Sequence, residues 1–392
     1  MLLVKNARLL TMAGKEIQNG YAAADEGKIT ALGNDAAELE RLEAECNELI
    51  DAKGHYVVPG FVDAHCHVGM CEDSVGFEGD DGNEMTDPVT PHLRAIDGIY
   101  HADRAFQEAL EGGVTTVVTG PGSANVIGGQ FAALKTYGRR VEDMLIREPV
   151  AMKVAFGENP KAVYHEKRQS PMTRMATAAI LRESLMKAKE YSQMLDDYER
   201  DSENYDKPDF DMKLEALLKV LKGEIPLKAH AHRADDILTA IRIAKEFGVR
   251  ITIEHCTEGH LITDILREEN VSVITGPFLT DRSKIELRNQ SIKAPGIISK
   301  AGIKTAIMTD HPCTPVQYLP LCAAVAVKEG MDEQEALKAI TINAAEIAGI
   351  ADRVGSLEKG KDADMVIMDG HPLELRSKVL YTIINGQVVY RL

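Results

Sequence analysis

The sequence places histidines at the ends of short apolar segments. The first such segment begins at Pro59 and ends in His65-Cys66-His67, and the alternation of a strand directs residues i and i+2 to the same face. Two imidazoles so placed can hold one divalent metal ion. A single His-x-His pattern also fits a pair of surface histidines, so the remaining histidines decide whether a metal site is expected.

Three further apolar segments end in the same way. They end in Ala229-His230-Ala231-His232, in Glu254-His255 and in Thr309-Asp310-His311. Seven of the 12 histidines, at positions 65, 67, 230, 232, 255, 260 and 311, lie in or beside these segments. Because the C-terminal ends of parallel barrel strands meet at one mouth, we expect these side chains to share one site. The pattern favours a metal centre over a set of core histidines.

The residue types in these segments suit hydrolysis assisted by a metal. Neutral imidazoles are ligands for zinc, and a catalytic metal lowers the pKa of its bound water to about 7 and polarises a carbonyl. Asp310 would take the proton and pass it to a leaving nitrogen, and His232 or His311 would stabilise the oxyanion. We expect one or two divalent metals, zinc first, although iron or manganese would satisfy the same ligands.

The elements between these segments predict a (β/α)₈ barrel. Apolar runs alternate with amphipathic helical segments, which is typical of βα units around a buried parallel sheet. The runs lie at 114–118, 226–230, 249–254, 271–275 and 303–308, and the helical segments at 105–110, 237–247, 316–328 and 333–340. A doubly wound sheet is the alternative, but no Gly-x-Gly-x-x-Gly follows the first strand of a βα unit.

Both chain ends read as short strands separated by turns. Glu26-Gly27-Lys28 and Asn385-Gly386 are predicted hairpin turns. We therefore expect residues 1–58 and 355–392 to form one small β-sandwich domain beside a barrel of residues 59–354. Residues 161–207 are rich in charged, helix-forming residues and predict a helical insertion, which would be a solvated excursion, a lid or a subunit contact.

Composition and charge narrow the class of protein. The net charge of −16 argues against a nucleic-acid partner, because phosphate binding needs a basic surface. No segment approaches the roughly 20 apolar residues of a membrane span. The six cysteines show no Cys-x-x-Cys spacing, which indicates reduced thiols. We expect a cytoplasmic enzyme that acts on a small molecule and forms a homo-oligomer.

The chain resembles the amidohydrolase superfamily over essentially its whole length. The resemblance rests on VPGFVDAHCH at 58–67, His230, His255, Asp310 in TDHP, and GSLEKGKDADMVIMDG at 355–370. It is greatest toward the imidazolonepropionase-like, prolidase-like and adenine-deaminase-like branches. The resemblance implies a metal-dependent hydrolase of a C–N bond in an amide, a cyclic amide or an amidine.

The resemblance also implies roles for the strand-end residues. His65 and His67 would bind the more buried metal, and His230 and His255 would be ligands from the fifth and sixth barrel strands. Asp310 would be the catalytic aspartate after the eighth strand. Whether His230 or His232 is the fifth-strand ligand stays open. The Lys228-to-Ala231 context favours His230, and His232 would then face either the substrate or the residues that surround the ligands.

The fourth strand decides between one metal and two. Members of this superfamily carry a carboxylated lysine, a glutamate or no bridging ligand there. In this chain Lys153 could be carboxylated, and Glu158 could bridge without modification. We favour Glu158 as the ligand, with Lys153 as the alternative.

Candidate substrate-binding residues lie near the predicted mouth. Gly129 and Gln130 end a glycine-rich segment, residues 121–130, that could present N–H groups to an anion, and the acidic segment 69–97 could close over a substrate. Arg233 could bind a carboxylate, as could Arg174, and His311 lies beside the catalytic aspartate.

Two other functions compete with this interpretation. A prolidase-like metallo-dipeptidase would cut an α-peptide bond and would need a pocket residue that pairs with a free carboxylate or amine. A non-catalytic relative would lack a ligand position or the aspartate, and this chain retains all five residues.

Overall fold

The structure, a computed structural model, describes residues 1–72 and 76–392. Residues 73–75, within the predicted acidic segment, lie outside the described residues. In chain order the strands are β1 (Leu2–Leu9), β2 (Ile17–Asp25), β3 (Lys28–Gly33), β4 (Glu48–Asp51), β5 (Tyr56–Pro59), β6 (Phe61–Cys66), β7 (Val114–Thr119), β8 (Ile127–Lys135), β9 (Leu145–Ala155), β10 (Leu227–Ala231), β11 (Ile251–His255), β12 (Ser272–Thr275), β13 (Thr305–Ile307), β14 (Met365–Met368), β15 (Val379–Ile384) and β16 (Gln387–Arg391).

Twelve α-helices are found in the described residues. They are α1 (Ala36–Glu45), α2 (Arg104–Glu111), α3 (Val141–Met144), α4 (Glu158–Glu166), α5 (Arg174–Arg200), α6 (Met212–Leu221), α7 (Ala234–Phe247), α8 (Thr263–Glu268), α9 (Ala294–Lys300), α10 (Leu319–Lys328), α11 (Glu333–Ala339) and α12 (Ile342–Ile347). Short 3₁₀ turns lie at 95–97, 259–261, 285–287 and 316–318. No helix of the described chain combines the length and the apolar character that a membrane crossing needs.

The predicted barrel is confirmed. Strands β6 to β13 form one eight-stranded sheet whose neighbours follow chain order. The first and last strands meet at their C-terminal ends, where the backbone N–H of Asp310 donates to the carbonyl of His65 at 3.2 Å. The backbone N–H of His67 in turn donates to the carbonyl of His311 at 2.9 Å. The segments that carry the histidines are therefore adjacent around one mouth.

One barrel strand runs against the others. Strand β8 pairs antiparallel with both β7 and β9, while the remaining neighbours pair in parallel. Residues 120–126, which join β7 to β8, are too few for the helical crossover that a parallel pair requires. The last four residues of the glycine-rich segment 121–130, Ile127 to Gln130, therefore belong to β8.

The second sheet combines both chain ends, as predicted. Its order is β16-β15-β14-β5-β1-β2-β3, and β4 also pairs with β1. The C-terminal strands join through β14, which is antiparallel to β5. Glu26-Gly27 and Asn385-Gly386 form the two predicted turns, and all four residues have positive φ, the conformation that tight hairpins require.

The predicted helical insertion contains the longest helix. Helix α5 spans 27 residues and begins after Thr173, whose side chain accepts a hydrogen bond from the N–H of Ala176. Its buried side chains recur at helical spacing, at positions 177, 178, 181, 184, 185, 188 and 191. Leu181 and Leu185 belong to the same hydrophobic core as Ile237 of α7, so α5 lies against the helical layer of the barrel.

A cluster of ion pairs around two buried aspartates joins the barrel to the C-terminal segment. We call Lys28, Lys135, Arg353, Asp362 and Asp364 the boundary ion cluster. Lys135, the last residue of β8, is 2% exposed and contacts both aspartates; its Nζ lies 2.9 Å from Oδ2 of Asp362. Nη2 of Arg353 and Nζ of Lys28 lie 2.7 Å and 2.6 Å from Asp362 carboxylate oxygens. The reversed direction of β8 is what brings Lys135 to the end of the barrel opposite the mouth.

Candidate metal centre

The strand-end residues form two adjoining sets of ligand atoms. His65, His67 and Asp310 make one set, and their candidate ligand atoms lie within 4.8 Å of one another. His230, His232 and His255 make the second set by the same measure. The ring centroids of His65 and His255 are 5.7 Å apart, so the two sets form one site.

His65 is oriented by a buried carboxylate. Its Nδ1 lies 3.0 Å from Oε2 of Glu254, which also accepts a hydrogen bond from Nζ of Lys228 at 2.8 Å. Burial would raise the pKa of Glu254, but Lys228 and His65 lower it to about 2. Burial, with the charge of Lys153, lowers the pKa of His65 to about 4, which keeps the imidazole neutral. A carboxylate that holds the far nitrogen of a histidine is typical of metal ligands.

The remaining imidazoles are also held through Nδ1. Nδ1 of His67 lies 2.7 Å from the carbonyl oxygen of Gly120, and Nδ1 of His255 lies 3.0 Å from the carbonyl oxygen of Gly276. Burial lowers the pKa of His255 to about 3. In each case Nε2 is the nitrogen left for the site.

His230 lies in β10 and His232 follows it, and the Nε2 atoms of the two residues have different surroundings. Nδ1 of His230 lies 2.9 Å from Oγ of Ser123, and its Nε2 is buried without a hydrogen-bond partner among the described residues. Nδ1 of His232 lies 2.8 Å from Oγ1 of Thr257, and its Nε2 lies 3.6 Å from Oε1 of Glu286. Since a buried polar atom without a partner is costly, the surroundings of His230 favour a further group at its Nε2 more than those of His232 do.

Asp310 lies between the histidines of the first set. Its Oδ1 is 3.4 Å from Nε2 of both His65 and His67. Burial would raise the pKa of Asp310, but His255, His65 and His67 hold it well below its usual range. The residue has a φ of 53°, an uncommon conformation for a side chain other than glycine.

A second aspartate fixes this backbone. Asp63 is fully buried and accepts hydrogen bonds from the backbone N–H groups of His65 and Thr309, both at 3.2 Å, and from the Thr309 hydroxyl. Burial raises the pKa of Asp63 to about 7. This contact ties the end of β13 to β6 and so positions Asp310.

The sequence analysis missed Asp63, Lys228 and Glu254. All three are charged residues inside apolar strand segments, and Asp63 and Lys228 each lie two residues before a candidate ligand. That spacing, which places them on the ligand-bearing face of the strand, was the signal that could have identified two of them.

The fourth strand presents Lys153, not Glu158, to the first ligand set. Lys153 is fully buried, and its Nζ lies 3.2 Å from Nε2 of His65. Burial lowers the pKa of Lys153 to about 7. Glu158 begins α4 and belongs to neither ligand set; its backbone N–H donates to Oε2 of Glu286 at 2.9 Å.

The four predicted substrate-binding residues are not among those that line the cavity above the ligands. Gly129 and Gln130 are in β8, where Nε2 of Gln130 donates to the carbonyl oxygen of Pro91 at 3.0 Å. Arg233 pairs with Asp235, its Nε 2.9 Å from Oδ1. His311 is buried, and its Nδ1 accepts from the N–H of Val316 at 3.3 Å. The prediction for these four residues depended on proximity in sequence, which did not place them in the cavity wall.

The cavity itself has a volume of about 250 Å³. Its floor includes His67, His230, His232, His255 and Asp310. Gly122 and Ser123 form part of one wall, and much of the remaining lining comes from residues 275–294, which follow β12. The cavity is of a size for a small molecule, at the mouth where barrel enzymes hold their active sites.

Solved structures share this architecture. An amidohydrolase from Thermotoga maritima MSB8 is 41% identical, with a TM-score of 0.95 over the full length of both chains. A Xaa-Pro dipeptidase with bound methionine in the active site is 18% identical, with a TM-score of 0.59 over the full length of both chains. An adenosine deaminase from Xanthomonas campestris with bound zinc is 16% identical, with a TM-score of 0.56, covering 99% of this chain and 92% of that one. The last two similarities concern the fold alone.

Curated relatives extend the comparison. The amidohydrolase tasK of Hapsidospora irregularis is 28% identical over 94% of this chain and 39% of that protein. An adenine deaminase of Listeria monocytogenes serotype 4b is 26% identical over 99% of this chain and 57% of that protein, so the chain spans well under two thirds of either relative. An imidazolonepropionase of Caldanaerobacter subterraneus subsp. tengcongensis is 27% identical over 92% of this chain and 86% of that protein.

A family model completes the comparison and confirms the resemblance predicted from the sequence. The model described as the amidohydrolase family matches residues 56–389, which include every barrel strand and all six members of the two ligand sets. Because this match covers most of the chain, the protein belongs to the amidohydrolase family.

Proposed function

We propose that the protein hydrolyses a C–N bond of a small amide, cyclic amide or amidine and depends on a divalent metal. The observation that carries the proposal is the buried Nε2 of His230, which has no protein partner among the described residues and lies in a set with His232 and His255. A nitrogen that binds a metal has no hydrogen-bond partner in the protein, because its lone pair is directed at the ion. Membership of the amidohydrolase family supports the same reaction class.

The donor set fits zinc. His65, His67, His230 and His255 would hold the metal, and low pKa values keep His65, His230 and His255 in the neutral form that binds it. Iron or manganese would accept the same nitrogen and oxygen ligands. When bound, a divalent cation would polarise the scissile bond and make water a better nucleophile at neutral pH.

Asp310 moves the protons in the proposed reaction. Its carboxylate is ionised, because its pKa is held well below the usual range, and it lines the cavity. It would accept a proton from the attacking water and deliver it to the leaving nitrogen. His232, which lines the same cavity and is held at Nδ1 by Thr257, would donate to the oxygen on which charge develops.

Lys153 is the better candidate for a bridging ligand. An ammonium group 3.2 Å from Nε2 of His65 would repel a bound cation, whereas a carbamate on the same nitrogen would attract it. Formation of the carbamate joins CO₂ to the neutral amine and releases one proton. Glu158, the bridging ligand favoured from the sequence, belongs to neither ligand set, although its buried Oε2 has no hydrogen-bond partner among the described residues. A carbamate on Lys153 would be the group able to hold two metals.

Metal content per chain, measured by elemental analysis, tests this assignment. We expect about two equivalents in the wild type and a reduced content in Lys153→Ala and His65→Ala. Glu158→Ala is the matched control and should keep the wild-type content. Loss of metal in Glu158→Ala, with none in Lys153→Ala, would restore the original prediction. A protein that binds no metal even after reconstitution would contradict the proposed function.

A further inference from the structure

The cavity contains one cation that the proposed reaction does not use. Lys284 is the only lysine or arginine among the described residues that line the cavity. It lies in the segment after β12, and its side chain is 34% exposed. The proposed metal ligands and Asp310 line the same cavity, so a small molecule bound there reaches both.

The ammonium group of Lys284 retains donors for a ligand. Its Nζ donates to Oδ1 of Asn159, a neutral amide that also lines the cavity. Its Nζ also forms a loose ion pair with the buried Glu286, whose Oε1 is 4.0 Å away and outside hydrogen-bond range. A lysine has three N–H donors, so this arrangement leaves donors and a positive charge directed at the cavity.

The cavity has a volume of only about 250 Å³, so a molecule that contacts Lys284 also lies close to His230, His232 and His255, which line the same cavity.

We propose that Lys284 binds a carboxylate of the substrate and thereby selects small acidic amides or lactams. This inference rests on the proposed function, because it places the carboxylate in the same cavity as the scissile C–N bond. The other polar residues of this segment that line the cavity, among them Ser283, Gln290 and Ser291, are neutral and would complete the binding of the acid. Lys284 would thus supply the charge-assisted hydrogen bond that a carboxylate favours.

Matched substrate pairs test the proposal on the metal-loaded enzyme. The pairs are pyroglutamate with 2-pyrrolidinone and N-acetylalanine with N-isopropylacetamide, which differ in the carboxylate. Hydrolysis is followed by release of amine, and binding of the same compounds is measured in parallel by calorimetry. The proteins are the wild type, Lys284→Met, Lys284→Arg and, as control, Lys293→Met, which removes an exposed lysine outside the cavity lining.

We expect the wild type to prefer at least one acidic member by about tenfold or more, the factor that one hydrogen bond to a charged group supplies. Lys284→Met should abolish that preference, chiefly through KM and the dissociation constant. Lys284→Arg should retain part of it, and Lys293→Met should leave it unchanged.

Two outcomes would overturn the proposal: equal binding of acidic and neutral members by the wild type, or the same acid preference in Lys284→Met. Binding separates this inference from the proposed function. Acid binding that requires Lys284 but is followed by no hydrolysis of any pair would support the carboxylate site and count against amide hydrolysis.

Discussion

Two buried clusters of charge lie at opposite ends of the barrel, and they differ in how their charges are satisfied. In the boundary ion cluster, Asp362 contacts Lys28, Lys135 and Arg353, and Asp364 contacts Lys135 and the N–H of Asn385. In the metal centre, Nε2 of His230 has no partner within the described chain, and Lys153 faces an imidazole nitrogen. The charges of the first cluster are paired within the protein, whereas the second leaves a buried nitrogen that the proposed metal would bind.

The largest expected effect falls on the catalytic side of this comparison. Asp310→Asn removes the group proposed to transfer protons and should lower kcat by about 10²–10⁴-fold, the usual contribution of a general acid–base. Steady-state kinetics and elemental analysis on the same preparation measure it. Undiminished kcat in a variant with full metal content would refute the role of Asp310.

The next effect falls on the boundary ion cluster. Asp362→Ala leaves Lys135 buried with one carboxylate fewer and should reduce the free energy of unfolding by about 3–5 kcal/mol. Denaturant titration measures the change. Lys28→Met is the matched control, because the Lys28 side chain is 47% exposed and its loss should cost under about 1 kcal/mol. Metal content should stay at the wild-type level in both variants, and its loss would show that the two clusters are coupled.

Removal of the proposed metal should lower the stability of the protein through the candidate metal centre, at the mouth of the barrel. At a free metal concentration of 100 times its dissociation constant, bound metal adds about 2.7 kcal/mol to the free energy of unfolding. Chelation should therefore lower the Tm of the wild type. His230→Ala removes a proposed ligand and should show a smaller drop. An identical drop in both proteins would remove His230 from the ligand set.

The smallest expected effect is on how the free energy of unfolding depends on pH. Burial alone would raise the pKa of Asp362, but Lys135, Arg353 and Lys28 lower it to about 2. A lowered pKa means that the ionised form stabilises the fold above the unfolded value near 3.8, and this contribution disappears as the pH falls toward 2. The difference in unfolding free energy between the wild type and Asp362→Asn should shrink by about 2 kcal/mol between pH 5 and pH 2. A constant difference over that range would show that Asp362 is not held ionised.

Local patterns in the sequence were sufficient to predict the barrel and to locate the candidate ligands at the ends of its strands. The alternation of apolar runs with helical segments depends on near neighbours in the chain, and so do the hairpin turns at Gly27 and Gly386. Because parallel strands end at one mouth, locating His65, His230, His255 and Asp310 at strand ends was enough to bring them together.

The features that the sequence did not reveal depend on contacts between distant residues. Strand β8 contains Gly128-Gly129, a pair that locally favours a loop, and its pairing with β7 and β9 overrides that preference. Lys153 and Glu158 are five positions apart, and the sequence does not show that β9 ends between them. The position of Lys153 within β9 is what brings its Nζ to His65. Lys284 lies in a segment without a motif, and its place in the cavity comes from the path of the chain after β12.

The short connection between β7 and β8 limits which sequence changes the candidate site can tolerate. Within residues 120–126, the carbonyl of Gly120 holds His67 and the hydroxyl of Ser123 holds His230, one from each ligand set. An insertion or deletion there would displace both imidazoles at once. Residues 277–294 wall the same cavity and contain no proposed ligand, so new substrate preferences can arise there by substitution or by a change of length while the chemistry is preserved.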